Sequence, residues 1–387
     1  MQNFTLHTPT KILFGEGQIA ALAAQIPADA RILITYGGGS IKQNGVFDQV
    51  MTALAGHNVL EFSGIEPNPT YETLMKAVDI VRKENIDFLL AVGGGSVADG
   101  TKFIAAAAHY SAAEDPWHIL QTWGAEITQA LPLGVVLTLP ATGSESNSGA
   151  VITRKTTGDK QAFMNDLVRP VFAVLDPVVT YTLPARQIAN GVVDAFVHTV
   201  EQYLTYPVDG KVQDRFSEGL LLTLIEEGPR ALQEPQNYAV RANVMWSATM
   251  ALNGLIGAGV PQDWSTHMLG HEITAMHGLD HAQTLAIVLP AMLNERRVQK
   301  REKLLQYAER VWGLREGTDD ERIDGAIAAT RAFFEKMGVP TRFSDYQLDG
   351  SSIPALVAKL AEHGMTALGE HQDISLEISQ RVYEAAR

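Results

Sequence analysis

The sequence predicts a two-domain chain: an α/β half built on a parallel sheet at residues 1–183, then an all-helical half at residues 184–387. Three observations carry this. At 387 residues the chain is longer than one ordinary hydrophobic core organises. From about residue 30 to about residue 180, short apolar runs, glycine or proline breaks and helical stretches follow one another repeatedly. After Leu183-Pro184 the short runs stop and long amphipathic patterns replace them.

The elements follow in order. The opening FTLHTPTKILFG is strand-like. RILITY (Arg31 to Tyr36), DFLLAV (Asp87 to Val92), GVVLTL (Gly134 to Leu139) and FAVLD (Phe172 to Asp176) are compact, rich in Val, Ile and Leu, and barely alternate. Parallel strands covered on both faces have this pattern. Helical segments such as NPTYETLMKAVDIVRKEN lie between some of them, which makes βαβ units. Beyond the boundary, PARQIANGVVDAFVHTVEQYL, DRFSEGLLLTLIEEGPRALQ and Lys303 to Trp312 read as helices. The charge runs ERRVQKREK and DDER are solvated helix faces.

Composition narrows the function classes. Hydrophobic residues make up 46% and charged residues 19%, enough apolar material for a packed core. A formal net charge of −14 repels polyanions, so neither nucleic acid nor anionic membrane is expected as a partner. The chain has no cysteine, so a metal must sit on His, Asp or Glu. MQNFTLHTPTK lacks the basic start and apolar stretch of a secretory signal, and no apolar run approaches the ~18 residues that cross a bilayer. The expected location is the cytoplasm.

Three glycine- or hydroxyl-rich segments follow strands. In LLAVGGGSVADGTKFIAAAA, Gly93, Gly95 and Ala98 satisfy G-x-G-x-x-A, with Gly94 between them. Glycines let the backbone approach a pyrophosphate, whose charge then rests on the free N–H groups of the helix start. Ser96 stands where an N-cap hydroxyl belongs. The earlier turn ITYGGGSIKQNG carries Gly37, Gly38, Gly39 and Ser40 and no carboxylate. Beside an adenosine ribose, that absence leaves room for a 2′-phosphate; otherwise the segment is a plain tight turn. In TLPATGSESNSGAVITRKTTGDK, Thr138, Thr142, Ser144 and Asn147 either converge on a ligand or form a polar loop, and the loop is favoured on physics alone.

The histidines are concentrated. Four of eleven fall in HMLGHEITAMHGLDH, with His267 and His271 four apart and His277 and His281 four apart. On a helix that spacing stacks side chains on one face. Upstream, Asp194 and His198 stand at i and i+4 in the otherwise apolar GVVDAFVHTVEQYL. A buried aspartate there is costly unless paired or bound to a cation. An Asp/His set suits a first-row divalent ion such as iron, zinc, cobalt or manganese, whereas calcium and magnesium prefer oxygen. Spacing does not choose among His267, His271, His277 and His281.

Taken in order along nearly the whole chain, FGEGQI, GGGSVADGTK, LPATGSES, NGVVDAFVHTVEQYL and HGLDHAQTLAIVLP resemble the iron-containing (group III) alcohol dehydrogenases. ITYGGGSIKQNG is similar to the butanol-dehydrogenase-like branch, and most of all to its NADPH-dependent aldehyde reductases from enteric bacteria. The resemblance implies a Rossmann-like α/β dinucleotide-binding domain and an all-helical metal-binding domain, a plan shared with dehydroquinate synthase. It implies Asp194, His198, His267 and His281 as ligands of one divalent ion, zinc or iron. His271 then lies close by as a proton relay, and Asp99 near the cofactor and the reacting atoms. Gly93 to Ser96 would hold the pyrophosphate and Gly38 to Ser40 would lie by the ribose. Thr138, Thr142, Ser144, Asn147 and Lys160 would line the nicotinamide end. One departure is visible: the family usually has glycine after the last metal histidine, and here Ala282 follows His281.

The activity so implied is reduction of short- and medium-chain aldehydes by NADPH with broad tolerance, in a cleft between the domains, with His271, a ribose hydroxyl or water returning the proton. The segment Asp263 to His281 has neither Lys nor Arg, which favours uncharged aldehydes and alcohols. Trp264 and Phe163 are candidate pocket walls. A homodimer paired through Phe4 to Leu6 is the implied assembly. Two other functions compete: a nucleotide sensor with a structural metal, and a lyase like dehydroquinate synthase, for which the missing cations are a poor match.

Overall fold

The computed structural model describes residues 1–111 and 113–387. Its strands are β1 (Lys11–Phe14), β2 (Arg31–Thr35), β3 (Asn58–Phe62), β4 (Phe88–Gly94), β5 (Leu133–Leu139), β6 (Gly149–Arg154), β7 (Asp159–Met164) and β8 (Phe172–Leu175). Six form one sheet in the order β1-β8-β5-β4-β2-β3. Every neighbouring pair in it is parallel. The apolar runs barely alternate because both faces of the sheet are covered. Leu89 and Ala91 of β4 pack one way with Leu33, Val135 and Ala173. Leu90 and Val92 pack the other way with Ile32, Val136 and Val174.

Strand order creates the position that matters. From β2 the chain steps outward to β3, then returns to place β4 on the other side of β2 and continues to β5. The direction of winding therefore switches between β2 and β4, which pair with Ile32 opposite Phe88 and Thr35 opposite Ala91. A crevice opens at the carboxyl ends of strands at such a switch, and ligands of open α/β sheets bind there. Both glycine turns leave from this point, one after β2 and one where β4 runs into helix α1 (Gly95–Ala107). A register shift between Gly93 and Gly94 marks the departure of β4 from β5.

One strand of the sheet, β3, and a hairpin add to the sequence expectation, while β1 falls in the strand-like opening. β1 and β3 are the edge strands, short and partly exposed. β6 and β7 form a separate antiparallel pair, with β6 inside the segment expected as a polar loop and β7 running on past its end.

The chain forms two compact units. One comprises His7–Leu183 and Gln236–Thr249; the other comprises Met1–Leu6, Pro184–Pro235 and Met250–Arg387. A single cut at residue 183 does not describe two of these segments. Gln236–Thr249 joins the α/β unit, where Arg241 donates to Thr180 Oγ1 at 2.9 Å and to its carbonyl at 2.7 Å. Met1–Leu6 joins the helical unit, with the Gln2 N–H donating to the Gly259 carbonyl at 2.9 Å.

Among the described residues the helical unit has no strand, only an isolated bridge between Leu368 and Ile374. Three helices position its site: α2 (Ala185–Tyr203), α3 (Ser265–His277) and α4 (His281–Glu295). Helix α2 starts directly after Pro184 and is buried on all sides from Gly191 to Tyr203, the signature of a central helix. Helix α3 stops at Gly278, whose φ of 69° gives the left-handed cap that glycine adopts without strain. Helix α4 restarts after Asp280, whose N–H donates to the Gln283 side chain at 2.9 Å. Leu269 and Ile273 of α3 pack against Ile287 and Val288 of α4. Among the described residues no helix is long and apolar enough to cross a membrane.

Candidate metal centre and glycine-rich turns

Asp194 and His198 lie one turn apart on α2, so both side chains leave the same face. Asp194 is 3% exposed and has no cation beside it among the described residues except histidines. Three imidazole Nε2 atoms converge on its Oδ1: His198 at 3.6 Å, His267 at 3.8 Å and His281 at 3.6 Å. The His198 and His267 rings stack with centroids 4.6 Å apart. Ligating atoms of Asp194, His267 and His281 all lie within 4.8 Å of one another.

These spacings fit an ion. They exceed hydrogen-bond length and approach the edge, roughly 3.4 Å, of a tetrahedron whose corners lie about 2.1 Å from a metal. Asp194 Oδ1 and His267 Nε2 are buried without a hydrogen-bond partner. Buried polar atoms otherwise find partners, so two unpartnered atoms facing each other at 3.8 Å suit a cation between them. Three of the four side chains are at most 7% exposed and His281 is 23% exposed, so the cluster is reachable from one side.

Electrostatics within the protein separate two of the histidines. Burial pushes His198 down to about 4, against the pull of Asp194, and keeps its imidazole neutral. Burial also lowers His267, but the Glu201 and Asp194 carboxylates more than offset it and lift it to about 9.

His271, one turn after His267 on α3, is 5% exposed, with its ring 5.3 Å from that of His281 and 6.2 Å from that of His267. It stands beside the cluster. His277 does not: Gly278 ends the helix, so the four-residue spacing to His281 spans a break and stacks nothing. Instead His277 pairs with Ser352 Oγ at 2.9 Å. Ala282 lies inside α4, where no special backbone angle is required and alanine favours helix over glycine. Trp264 caps α3 from a left-handed conformation (φ 63°) and sets its ring 5.5 Å from His267 and 6.2 Å from His198. Phe163 is no pocket wall; on β7 it is fully buried in the core of the α/β unit.

In the α/β unit the glycines of the second turn are required by close packing. A Cβ on Gly93 would stand 2.5 Å from Val97 Cγ2, and one on Gly95 would stand 2.4 Å from Thr142 Oγ1. Gly94 takes the N-cap of α1, so Ser96 lies inside the helix rather than at its cap. Its Oγ instead accepts the Asn68 N–H at 3.3 Å. In the first turn Gly39 has φ 95°, and nothing lies within 4 Å of a Cβ on Gly38 or Gly39, while Gly37 approaches the Ile65 carbonyl. Ser40 opens the helical turn that follows.

The polar segment after β5 is held from α1. Ser144 donates to Asp99 Oδ1 at 2.5 Å and the Val151 N–H donates to Asp99 Oδ2 at 2.9 Å. Lys102 is fully buried and donates to Ser144 Oγ, Asn147 Oδ1 and the Gly149 carbonyl at 2.9, 2.9 and 2.7 Å. Burial drives Lys102 down to about 8 and raises Asp99, each partly offset by the other. Thr142 Oγ1 accepts the Ser144 N–H at 3.2 Å, and Thr138 sits near the end of β5. Lys160 on β7 donates to Asn68 Oδ1 at 2.7 Å. Asn68 thus ties Lys160 to Ser96, a role carrying no sequence signal beyond its place before Pro69.

Comparison with known proteins agrees with this architecture. The model of the iron-containing alcohol dehydrogenases matches residues 9–177, and that of the family's C-terminal domain matches residues 188–386. The NADPH-dependent aldehyde reductase YqhD of Escherichia coli (strain K12) is 76% identical over 387 residues, covering both chains completely. A probable NADH-dependent butanol dehydrogenase of Bacillus subtilis (strain 168) is 40% identical, with 97% of each chain covered. A crystal structure of E. coli K-12 YqhD superposes with a TM-score of 0.99 at 75% identity, over 100% of this chain and 99% of that one. A parallel sheet with glycine turns at its switch point, joined to a helical unit with a buried His/Asp cluster, defines a metal-associated nucleotide-dependent dehydrogenase. The chain belongs to the iron-containing alcohol dehydrogenase family.

Proposed function

We propose that the chain is a metal-dependent, NADP(H)-linked aldehyde reductase, acting on short- and medium-chain aldehydes with broad tolerance. The convergence of three Nε2 atoms on Asp194 Oδ1 carries this reading. Asp194, His198, His267 and His281 would hold one divalent ion, zinc or iron. Those residues would place a Lewis acid where a carbonyl oxygen could be polarised and the charge developing on it stabilised, an effect worth several kcal/mol in a dry site. The exposure of His281 favours a catalytic site, which keeps a position open, over a closed structural one.

The chain's own groups do the rest. Backbone N–H groups of Gly93 to Ser96, at the start of α1, would receive the pyrophosphate of the dinucleotide that supplies hydride. Gly37 to Ser40 present no carboxylate to a 2′-phosphate. Asp99 has both oxygens occupied, which suits a positioning role: with Lys102 it fixes Ser144 and Asn147. Thr138, Thr142 and Lys160 would line the nicotinamide end. His271 would return a proton to the product through an imidazole nitrogen. With no Lys or Arg from Asp263 to His281, the substrate is uncharged.

The nucleotide preference rests on the first glycine turn and on the 76% identical relative, which is named for NADPH, whereas the 40% identical one is named for NADH. Oxidation of NADPH by butyraldehyde should proceed with a clearly higher kcat/KM than that of NADH. Equal values would remove the assignment of that turn, and silence with both nucleotides would remove the reductase. The same reading includes a homodimer joined through the N-terminal segment, where Phe4 and Leu6 are 50% and 42% exposed. Sedimentation of the active enzyme at the mass of one chain would exclude it.

A further inference from the structure

Helix α2 carries a third polar group on the face of Asp194 and His198. Glu201 follows His198 by three residues and Asp194 by seven, which keeps all three on one side of the helix. Glu201 is 2% exposed, and a carboxylate that deep must have its oxygens paired. Its two oxygens are used differently. Oε1 accepts the backbone N–H of Thr266 at 2.7 Å and of His267 at 3.4 Å, two of the free donors in the first turn of α3. Trp264, the N-cap of α3, provides no side-chain cap, so Glu201 caps this helix from another one. Oε2 accepts from His267 Nδ1. The backbone is tied at the same place, with the Asp263 N–H donating to the Glu201 carbonyl at 2.9 Å.

From this geometry we infer that Glu201 is a positioning residue for the metal centre, holding His267 in the tautomer and ring orientation that present Nε2 to the ion. With one proton fixed on Nδ1 by Oε2, Nε2 is the nitrogen an ion would take in exchange for a proton, and it is the one facing Asp194 Oδ1 without a hydrogen-bond partner. Partners of this kind orient metal-bound imidazoles and raise their basicity. The two-oxygen arrangement also says why glutamine is no substitute. Its single carbonyl oxygen satisfies either the helix N–H groups or Nδ1. If it keeps the helix, the amide NH2 faces Nδ1, which must give up its proton to Nε2, and the ligand position closes.

The inference rests on the proposal that Asp194, His267 and His281 hold an ion, and the test separates the two. Zinc affinity of the purified full chain is measured by competition with a chromophoric chelator, for the wild type, Glu201→Gln, His267→Ala and the double variant. The wild type is expected to bind one zinc tightly, and Glu201→Gln to bind it about 10- to 100-fold more weakly. On the His267→Ala background Glu201→Gln should bring no further loss, because its effect passes through that ring. Equal affinity of wild type and Glu201→Gln, or the same loss with His267 absent, overturns the inference while leaving the metal site in place. No zinc binding by the wild type overturns the site itself and this inference with it. Should Glu201→Gln fail to fold, nitrogen-15 histidine spectra of the zinc-loaded wild type decide: a proton on His267 Nδ1 upholds the assignment, and one on Nε2 refutes it.

Discussion

Burial forces the chemistry of individual residues into view. Asp194 in an apolar helix signals a cation because an unpaired carboxylate does not persist there. That signal is present in the sequence, as is the nearness of His198. The four histidines from His267 to His281 are not distinguishable by spacing, since Gly278 decides which of them share a helix. Glu201, Asn68 and Lys102 were illegible for a different reason. Each acts on partners more than 25 residues away, and HTVEQYL or GTKF alone does not say which charge is buried. Lys102 has a measurable consequence. Its folded-state value of about 8 lies below the ordinary 10.5, so from pH 8 to 10.5 the unfolded chain holds a proton that the folded chain has released. Its contribution to stability therefore rises across that window and is least favourable below pH 8. A carbon-13 titration of the Lys102 side chain should show a midpoint near 8; a midpoint near 10.5 would contradict the burial argument.

Elements were legible where burial is symmetric. The central strands β2, β4, β5 and β8 announce themselves as continuous apolar runs because neither face sees water. Edge strand β3 has no fully buried residue and gives no such run. The β6–β7 pair was hidden because GAVITR follows a hydroxyl-rich turn directly, and the eye reads the whole segment by that turn. Close approach between strands leaves a testable mark at Gly134. A Cβ there would fall 2.2 Å from Phe172 Cζ, on neighbouring paired strands, and neither backbone can move without disturbing the sheet. Gly134→Ala should destabilise the protein by about 1–3 kcal/mol in chemical denaturation. Unchanged stability would show that the sheet core is looser than its contacts imply.

For the whole molecule, the sequence gives away the division of labour more readily than the assembly of the site. Glycine turns belong to one unit and the His/Asp cluster to the other, and each is recognisable by itself. Why the turns lie side by side is a property of strand order, which places β2 next to β4 although β3 separates them along the chain. No local pattern encodes that adjacency. The net charge of −14 likewise speaks of solubility and partners, and leaves the chemistry to the cluster.

Metal dependence is the central claim, and removing the ion tests it most directly. Butyraldehyde-dependent oxidation of NADPH would be followed before chelation, after it, and as zinc or iron(II) is added back to the chelated enzyme. The account predicts that activity disappears with the ion, while the fold persists by circular dichroism, and returns in proportion to metal up to one ion per chain. Full activity in a protein stripped of metal would contradict it, and would leave Asp194 and its three histidines without the role assigned to them.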